Sequence, residues 1–125
     1  MKTFGIIGLS EGNGHPFSYS SIINGYSDEG LAAAGWPGIY DYVRRRHASE
    51  FGLEGWTITH AWTQYPDATK RLCAASRIPH AAADYREFLH AVDAVIIARD
   101  DYETHFEMAQ PFLEAGLPVF VDKPL

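Results

Sequence analysis

The sequence has one cysteine, no long apolar run and no excess of positive charge, and each shortage excludes something. With Cys73 alone there is no internal disulfide and no cysteine-built metal cluster, which suits a reducing cytoplasm. Cys73 lies in the small apolar run Leu72-Cys73-Ala74-Ala75, as expected of a buried, inert thiol. No segment approaches the ~20 apolar residues of a membrane span. The start, Met1-Lys2-Thr3-Phe4-Gly5-Ile6-Ile7-Gly8, is too briefly apolar for a signal peptide and lacks a small-residue cleavage site. A net charge of −6 leaves no electrostatic footprint for nucleic acid or an anionic membrane. The one basic cluster, Arg44-Arg45-Arg46, shares its stretch with Asp41 and Glu50 and reads as a solvated helix face. With 46% hydrophobic and 21% charged residues over 125 positions, the expectation is one cytoplasmic globular domain.

Continuous apolar runs bounded by turn residues recur at 4–9, 56–62, 94–98 and 118–121, with a short one at 80–82. Such runs are expected of parallel strands buried on both faces. Helical patterns fall between them, at 18–26, 67–76, 84–91 and 103–115. Asp67 follows Pro66 as a natural N-cap, and Asp84 with Glu87 has the spacing of a capping box. Gly116 and Pro118 mark a helix stop, and Pro111 is expected to kink the last helix or start its second half. The alternation predicts a doubly wound, Rossmann-like α/β domain of three layers, with five parallel strands in the order 3-2-1-4-5. About 45 residues separate the first two runs, more than the ~30 of a whole βαβ unit. The surplus, about 28–55, carries Gly35-Trp36-Pro37-Gly38 and the amphipathic set Ile39, Tyr42, Val43 and Phe51, and reads as an inserted turn and helix.

The loop after the first strand reads Gly8-Leu9-Ser10-Glu11-Gly12-Asn13-Gly14-His15-Pro16. Glycines here let backbone approach a pyrophosphate, and the following helix offers unpaired N–H groups to its charge. The loop is not a clean G-x-G-x-x-G, because Ser10 takes the second glycine position and the turn is enlarged. A second strand of this kind usually ends on an acid that holds the adenosine ribose. The corresponding place is Thr63, followed by Gln64; a neutral hydroxyl and amide can bind a ribose or tolerate a 2′-phosphate, so NAD and NADP both stay open. The fourth run ends on Arg99-Asp100-Asp101, facing the nucleotide across the switch point. The acids there lack metal-ligand spacing, and a cluster at a helix start is commonly capping; no metal is expected. His15 and His105 read as polar contacts to cofactor or substrate. The last run delivers Asp122 and Lys123 before Pro124, a carboxylate and a lysine where an α/β sheet presents its ligands.

Together, Ile6-Ile7-Gly8, Asp93-Ala94-Val95-Ile96-Ile97-Ala98, His105, Ala115-Gly116 and Val121-Asp122-Lys123-Pro124-Leu125 resemble the amino-terminal domain of the Gfo/Idh/MocA oxidoreductases. In that family a Glu-Lys-Pro motif ends the fifth strand of an NAD(P)-binding Rossmann domain, and its lysine contacts the substrate hydroxyl near the nicotinamide. The resemblance makes Lys123 the catalytic lysine of an Asp-Lys-Pro version. It places Gly8, Ser10, Gly12, Asn13 and Gly14 along the pyrophosphate, and Arg99, Asp100 and Asp101 beside the nicotinamide half. It implies hydride transfer between nicotinamide and a sugar or cyclitol hydroxyl. It covers residues 1–125 as a cofactor domain, while the family's second domain, which supplies substrate contacts and the usual homo-oligomer surface, is not in this sequence. The chain is therefore expected to be an excised or truncated domain, inactive alone. A non-catalytic binding module, using 28–55 to meet a partner, is the alternative reading.

Overall fold

The computed structural model describes residues 1–122. Its strands are β1 (Lys2–Ile7), β2 (Trp56–Trp62), β3 (His80–Ala81), β4 (Ala94–Ile97) and β5 (Val119–Val121). They form one five-stranded parallel sheet in the order β3-β2-β1-β4-β5. The α-helices are α1 (His15–Asn24), α2 (Asp28–Ala32), α3 (Pro37–Arg44), α4 (Pro66–Ser76) and α5 (Tyr102–Glu114). The predicted fold class and strand order are what the structure shows.

Two apolar layers clasp the sheet. Phe4, Ile6, Ile58 and Ile96 pack on one side against Phe17, Leu31, Val43 and Leu72 from α1 to α4. Ile7, Val95 and Ile97 pack on the other against Phe88 and, from α5, Met108 and Phe112. Alternation along β1 and β4 produces this division. In β2 the period breaks: Phe4 lies opposite Ile58, but Gly5 lies opposite His60, so Thr59 is an extra residue. That bulge lets Ile58 and Ala61, three apart, share one face. Asn24 at the end of α1 braces this point, donating to the Ile58 carbonyl at 2.9 Å and accepting from its N–H at 2.8 Å.

Local chemistry explains where the helices depart from expectation. α1 starts at His15 rather than at 18, because Pro16 suits the first helical turn, where no N–H is needed. The 84–91 segment has its capping box, Asp84 with Glu87, but winds as a 3₁₀ helix over Tyr85–His90, not as an α-helix. α5 runs through Pro111 unbroken; with one turn remaining beyond it, little ladder is lost. Residues 28–50 form α2, α3 and a 3₁₀ turn at Ala48–Glu50, two helices where one was expected.

The two glycines Gly5 and Gly30 are packing requirements. A Cβ on Gly5 would lie 2.4 Å from the Phe88 ring, and one on Gly30 would lie 2.7 Å from the Ala74 carbonyl oxygen. One apolar groove of about 410 Å³ stays open beside β4 and β5, lined by Phe4, Tyr19, Trp56, Ile96 and Phe120. Phe120 is 55% exposed there.

Gly30→Ala is expected to cost about 1–3 kcal/mol, because backbone cannot yield to the new methyl group. Gly38→Ala, in α3 with nothing within 4 Å of its Cβ, should stabilise by up to about 1 kcal/mol. Urea unfolding of the two variants checks the contrast. His60, stacked on His80 at 4.6 Å, has its pKa lowered by burial and then by the His80 charge. A lowered histidine pKa stabilises the fold above the unfolded value of 6.5 and loses that stabilisation as pH falls. Unfolding midpoints between pH 7 and 5 should therefore drop more for the parent chain than for His60→Gln.

Candidate cofactor site

The carboxyl ends of β1, β2, β4 and β5 carry the polar residues singled out above, and the structure joins most of them directly. Gly8 follows β1, with its N–H donating to the Trp62 carbonyl at 2.9 Å. Gly8 is tightly packed, since a Cβ would meet Pro16 at 2.6 Å. The loop then folds back on itself: Asn13 N–H donates to the Ser10 carbonyl at 3.1 Å, with Gly12 at φ +74°. A left-handed residue in this turn favours glycine.

Three strand ends hold that loop. From β4, Asp100 accepts the Ser10 hydroxyl at 2.7 Å and returns its own N–H to it at 3.1 Å. From β2, Gln64 accepts from Leu9 N–H at 2.7 Å and donates to the Leu9 carbonyl. From β5, Asp122 accepts from Asn13 Nδ2 at 3.1 Å, His15 Nδ1 at 2.5 Å and Tyr19 Oη at 3.3 Å. Asn13 also receives the His15 N–H, and His15 stacks on Tyr19 with centroids 4.8 Å apart. Burial and the Asp122 charge both push the Tyr19 phenol up. Lys123 lies outside the described residues.

Arg99 is 7% exposed and points beneath the loop. It donates to Gln64 at 3.2 Å and forms a two-pronged pair with Asp101 at 2.9 and 2.5 Å. The guanidinium holds the Asp101 carboxyl below its usual range. His105 is buried under the same turn with Nε2 at 2.5 Å from the Arg99 carbonyl, so it supports the loop. Thr63 is 2% exposed, with its hydroxyl donating to the Tyr65 carbonyl at 2.7 Å and sharing a contact with Thr69.

Two adjoining clefts share Gly12 and Trp36. One, about 440 Å³, lies over Gly12, Gly14, His15 and the start of α3. The other, about 220 Å³, is bounded by Glu11, Gln64 and Tyr65. α1 and α3 both begin here without a side-chain cap. The backbone N–H groups of Gly12 and Gly14 have no partner among the described residues. A Cβ on Gly12 would meet nothing within 4 Å, so this bare backbone faces open space. Bare N–H groups at an uncapped helix start fit a phosphate-bearing ligand. Sequence reasoning passed over Tyr19 and Trp36 as site neighbours. Tyr19 was findable from its i+4 spacing to His15 on one helix face, whereas Trp36 arrives through the insertion's fold and has no local signal. Among the described residues no group of three His, Cys, Asp or Glu could hold a metal, and no helix is long and apolar enough to cross a membrane.

Provisionally assigned oxidoreductase YceM of Salmonella typhimurium is 34% identical over 71 residues, which are 57% of this chain and 22% of that protein. A Gfo/Idh/MocA family oxidoreductase from Vibrio cholerae superposes with a TM-score of 0.62 and 24% identity, covering 100% of this chain and 30% of its own. Scyllo-inositol dehydrogenase from Lactobacillus casei, solved with NAD(H) and scyllo-inositol, gives a TM-score of 0.62 and 19% identity over 99% of this chain and 28% of its own. The chain thus spans under a third of the length of these relatives. Residues 35–125 match the family described as oxidoreductase family, NAD-binding Rossmann fold, and the chain belongs to that Gfo/Idh/MocA family.

Proposed function

We propose that this chain is the cofactor-binding part of an NAD(P)-dependent dehydrogenase that moves a hydride between nicotinamide and a hydroxyl of a sugar or cyclitol. The observation that carries this reading is the convergence of the glycine loop and the starts of α1 and α3 on one cleft lined by bare backbone, with Asp122 after β5 fastening the loop. Membership of the family and its cyclitol dehydrogenase neighbour support the reaction class.

In this reading Gly12, Asn13 and Gly14 approach the pyrophosphate, and the start of α1 faces its charge. Bound nicotinamide supplies the hydride acceptor. Lys123 orients the substrate hydroxyl and takes up or passes on its proton, and Asp122 holds the adjoining loop in place. His15, whose Nδ1 is engaged by Asp122, offers Nε2 as a polar contact on the cleft side. Arg99, Asp100 and Asp101 shape the loop that carries these groups, and Thr63 and Gln64 shape its β2 side. Turnover then needs a substrate wall from further polypeptide, as in the longer relatives, so the isolated chain binds cofactor without catalysis. A cytoplasmic location fits a nicotinamide enzyme, and burial pushes the Cys73 thiol of this chain up to about 11, so it stays unreactive.

Titration of the chain with NADH, followed by nicotinamide fluorescence, should saturate, while an unrelated nucleotide such as GTP should not. Gly12→Ala is expected to weaken NADH binding at least about tenfold by filling the phosphate cradle. Its stability to unfolding should fall only by the about 1–2 kcal/mol that a Cβ costs at φ +74°, because the added methyl group clashes with nothing. Absence of saturable dinucleotide binding would instead favour the non-catalytic module.

A further inference from the structure

We infer that Glu11, in the enlarged glycine loop, takes the place of the missing acid on β2, reads the adenosine ribose hydroxyls and selects NAD over NADP. The inference rests on the cofactor reading above and names the part of the site that discriminates. Dinucleotide folds ordinarily place the ribose-binding carboxylate at the end of the second strand. Thr63 stands there, buried, with its hydroxyl spent on the Tyr65 carbonyl and Thr69. The neighbouring Gln64 amide is equally committed, to both backbone groups of Leu9 and to Arg99. The Thr63 hydroxyl is used up, and the Gln64 carbonyl oxygen, the acceptor a ribose diol would need, already takes two donors.

Glu11 supplies what they lack. It sits in the turn closed by Ser10 and Asn13, is exposed, and has no hydrogen-bond or ion-pair partner among the described residues. It lines the 220 Å³ cleft together with Gln64, Trp36 and Tyr65. Two aromatic rings and a carboxylate around one small cleft suit an adenosine, with ring surface for the base and an acceptor for the diol.

The same cleft rejects a 2′-phosphate. Among the described residues no lysine or arginine lines it or the adjoining 440 Å³ cleft. Arg99, the nearest guanidinium, is buried and paired with Asp101. Asp100 adds a second carboxylate on the far side. A phosphate of roughly −1.5 to −2 charge would meet acid without a counter-ion. Lys70 lines a different cleft, with Thr63 and Thr69, on the other side of Gln64.

Paired titrations of the chain with NADH and NADPH, read by nicotinamide fluorescence, test the assignment. NADH should bind at least about tenfold tighter than NADPH. Glu11→Gln should lose about tenfold in NADH affinity, the usual scale for a hydrogen bond to a charged group, and Glu11→Lys should reverse the preference. Thermal midpoints of both variants should match the parent, since the exposed side chain makes no hydrogen bond or ion pair among the described residues. Equal affinities, or an unchanged preference in Glu11→Gln, would overturn this assignment and leave the cofactor reading intact. Tighter NADPH binding that is abolished by Lys70→Ala would overturn it in favour of Lys70. Binding of neither dinucleotide would overturn the cofactor reading, and this inference with it.

Discussion

Asp122 fastens the first loop of the chain to its last strand, and the shape of the candidate site depends on that contact. A loop containing Gly8, Gly12 and Gly14 has little side-chain bulk to define its path, and ordering it costs backbone entropy. The carboxylate of Asp122, 9% exposed, draws in donors from Asn13, His15 and Tyr19. A buried charge is tolerated only with such partners, and hydrogen bonds to a charge are worth more than neutral ones. The same carboxylate engages His15 at Nδ1, and the ring stacks on Tyr19. One buried acid thus sets both the path of the loop and the position of a ring beside the cleft.

A second clamp works through amide geometry. Gln64 bonds both the N–H and the carbonyl of Leu9, as a neighbouring strand would, and extends the β1–β2 pairing past the end of the sheet. Arg99 lies under Gln64 and connects it to the β4 side. A lone buried guanidinium would destabilise the fold, and Asp101 at the start of α5 neutralises it. The consequence is functional as well as structural. Arg99 has its charge spent internally, so among the described residues the clefts are lined by backbone dipoles and carboxylates without a basic side chain.

Much of the fold was legible because parallel strands buried on both faces read as unbroken apolar runs, of which 94–98 is the clearest. Strand order then followed from right-handed crossovers. Legibility failed where side chains act at a distance. The bulge at Thr59 leaves the run 56–62 apolar and shows only in the pairing with Gly5. Asp84 and Glu87 announce a helical start but do not distinguish a 3₁₀ helix from an α-helix, since capping acts on the first turn alone. Thr63 was read as a ribose ligand because its position along β2 was right; its hydroxyl is consumed by Tyr65 two residues on. Asn13, Gly14 and His15 were legible as a group because they are contiguous. Tyr19 and Glu11 acquire their surroundings only when helix and turn close.

The surplus between β1 and β2 carries the least legible part of the site. α2 lies against α4 so closely that Gly30 touches the Ala74 backbone, and Ser27 N–H reaches the Ala75 carbonyl at 2.8 Å. That anchorage positions the next turn, and Trp36 and Ile39 arrive over Gly14, where a Cβ would lie 2.8 and 2.3 Å from them. Gly14 is therefore small for two reasons at once, as the start of α1 and as the seat for the insertion. A segment that could have been a peripheral partner surface becomes instead the second wall of the cleft. Packing on α4 and the cleft at α1 are joined through one short chain of contacts, from Gly30 at Ala74 to Trp36 and Ile39 over Gly14.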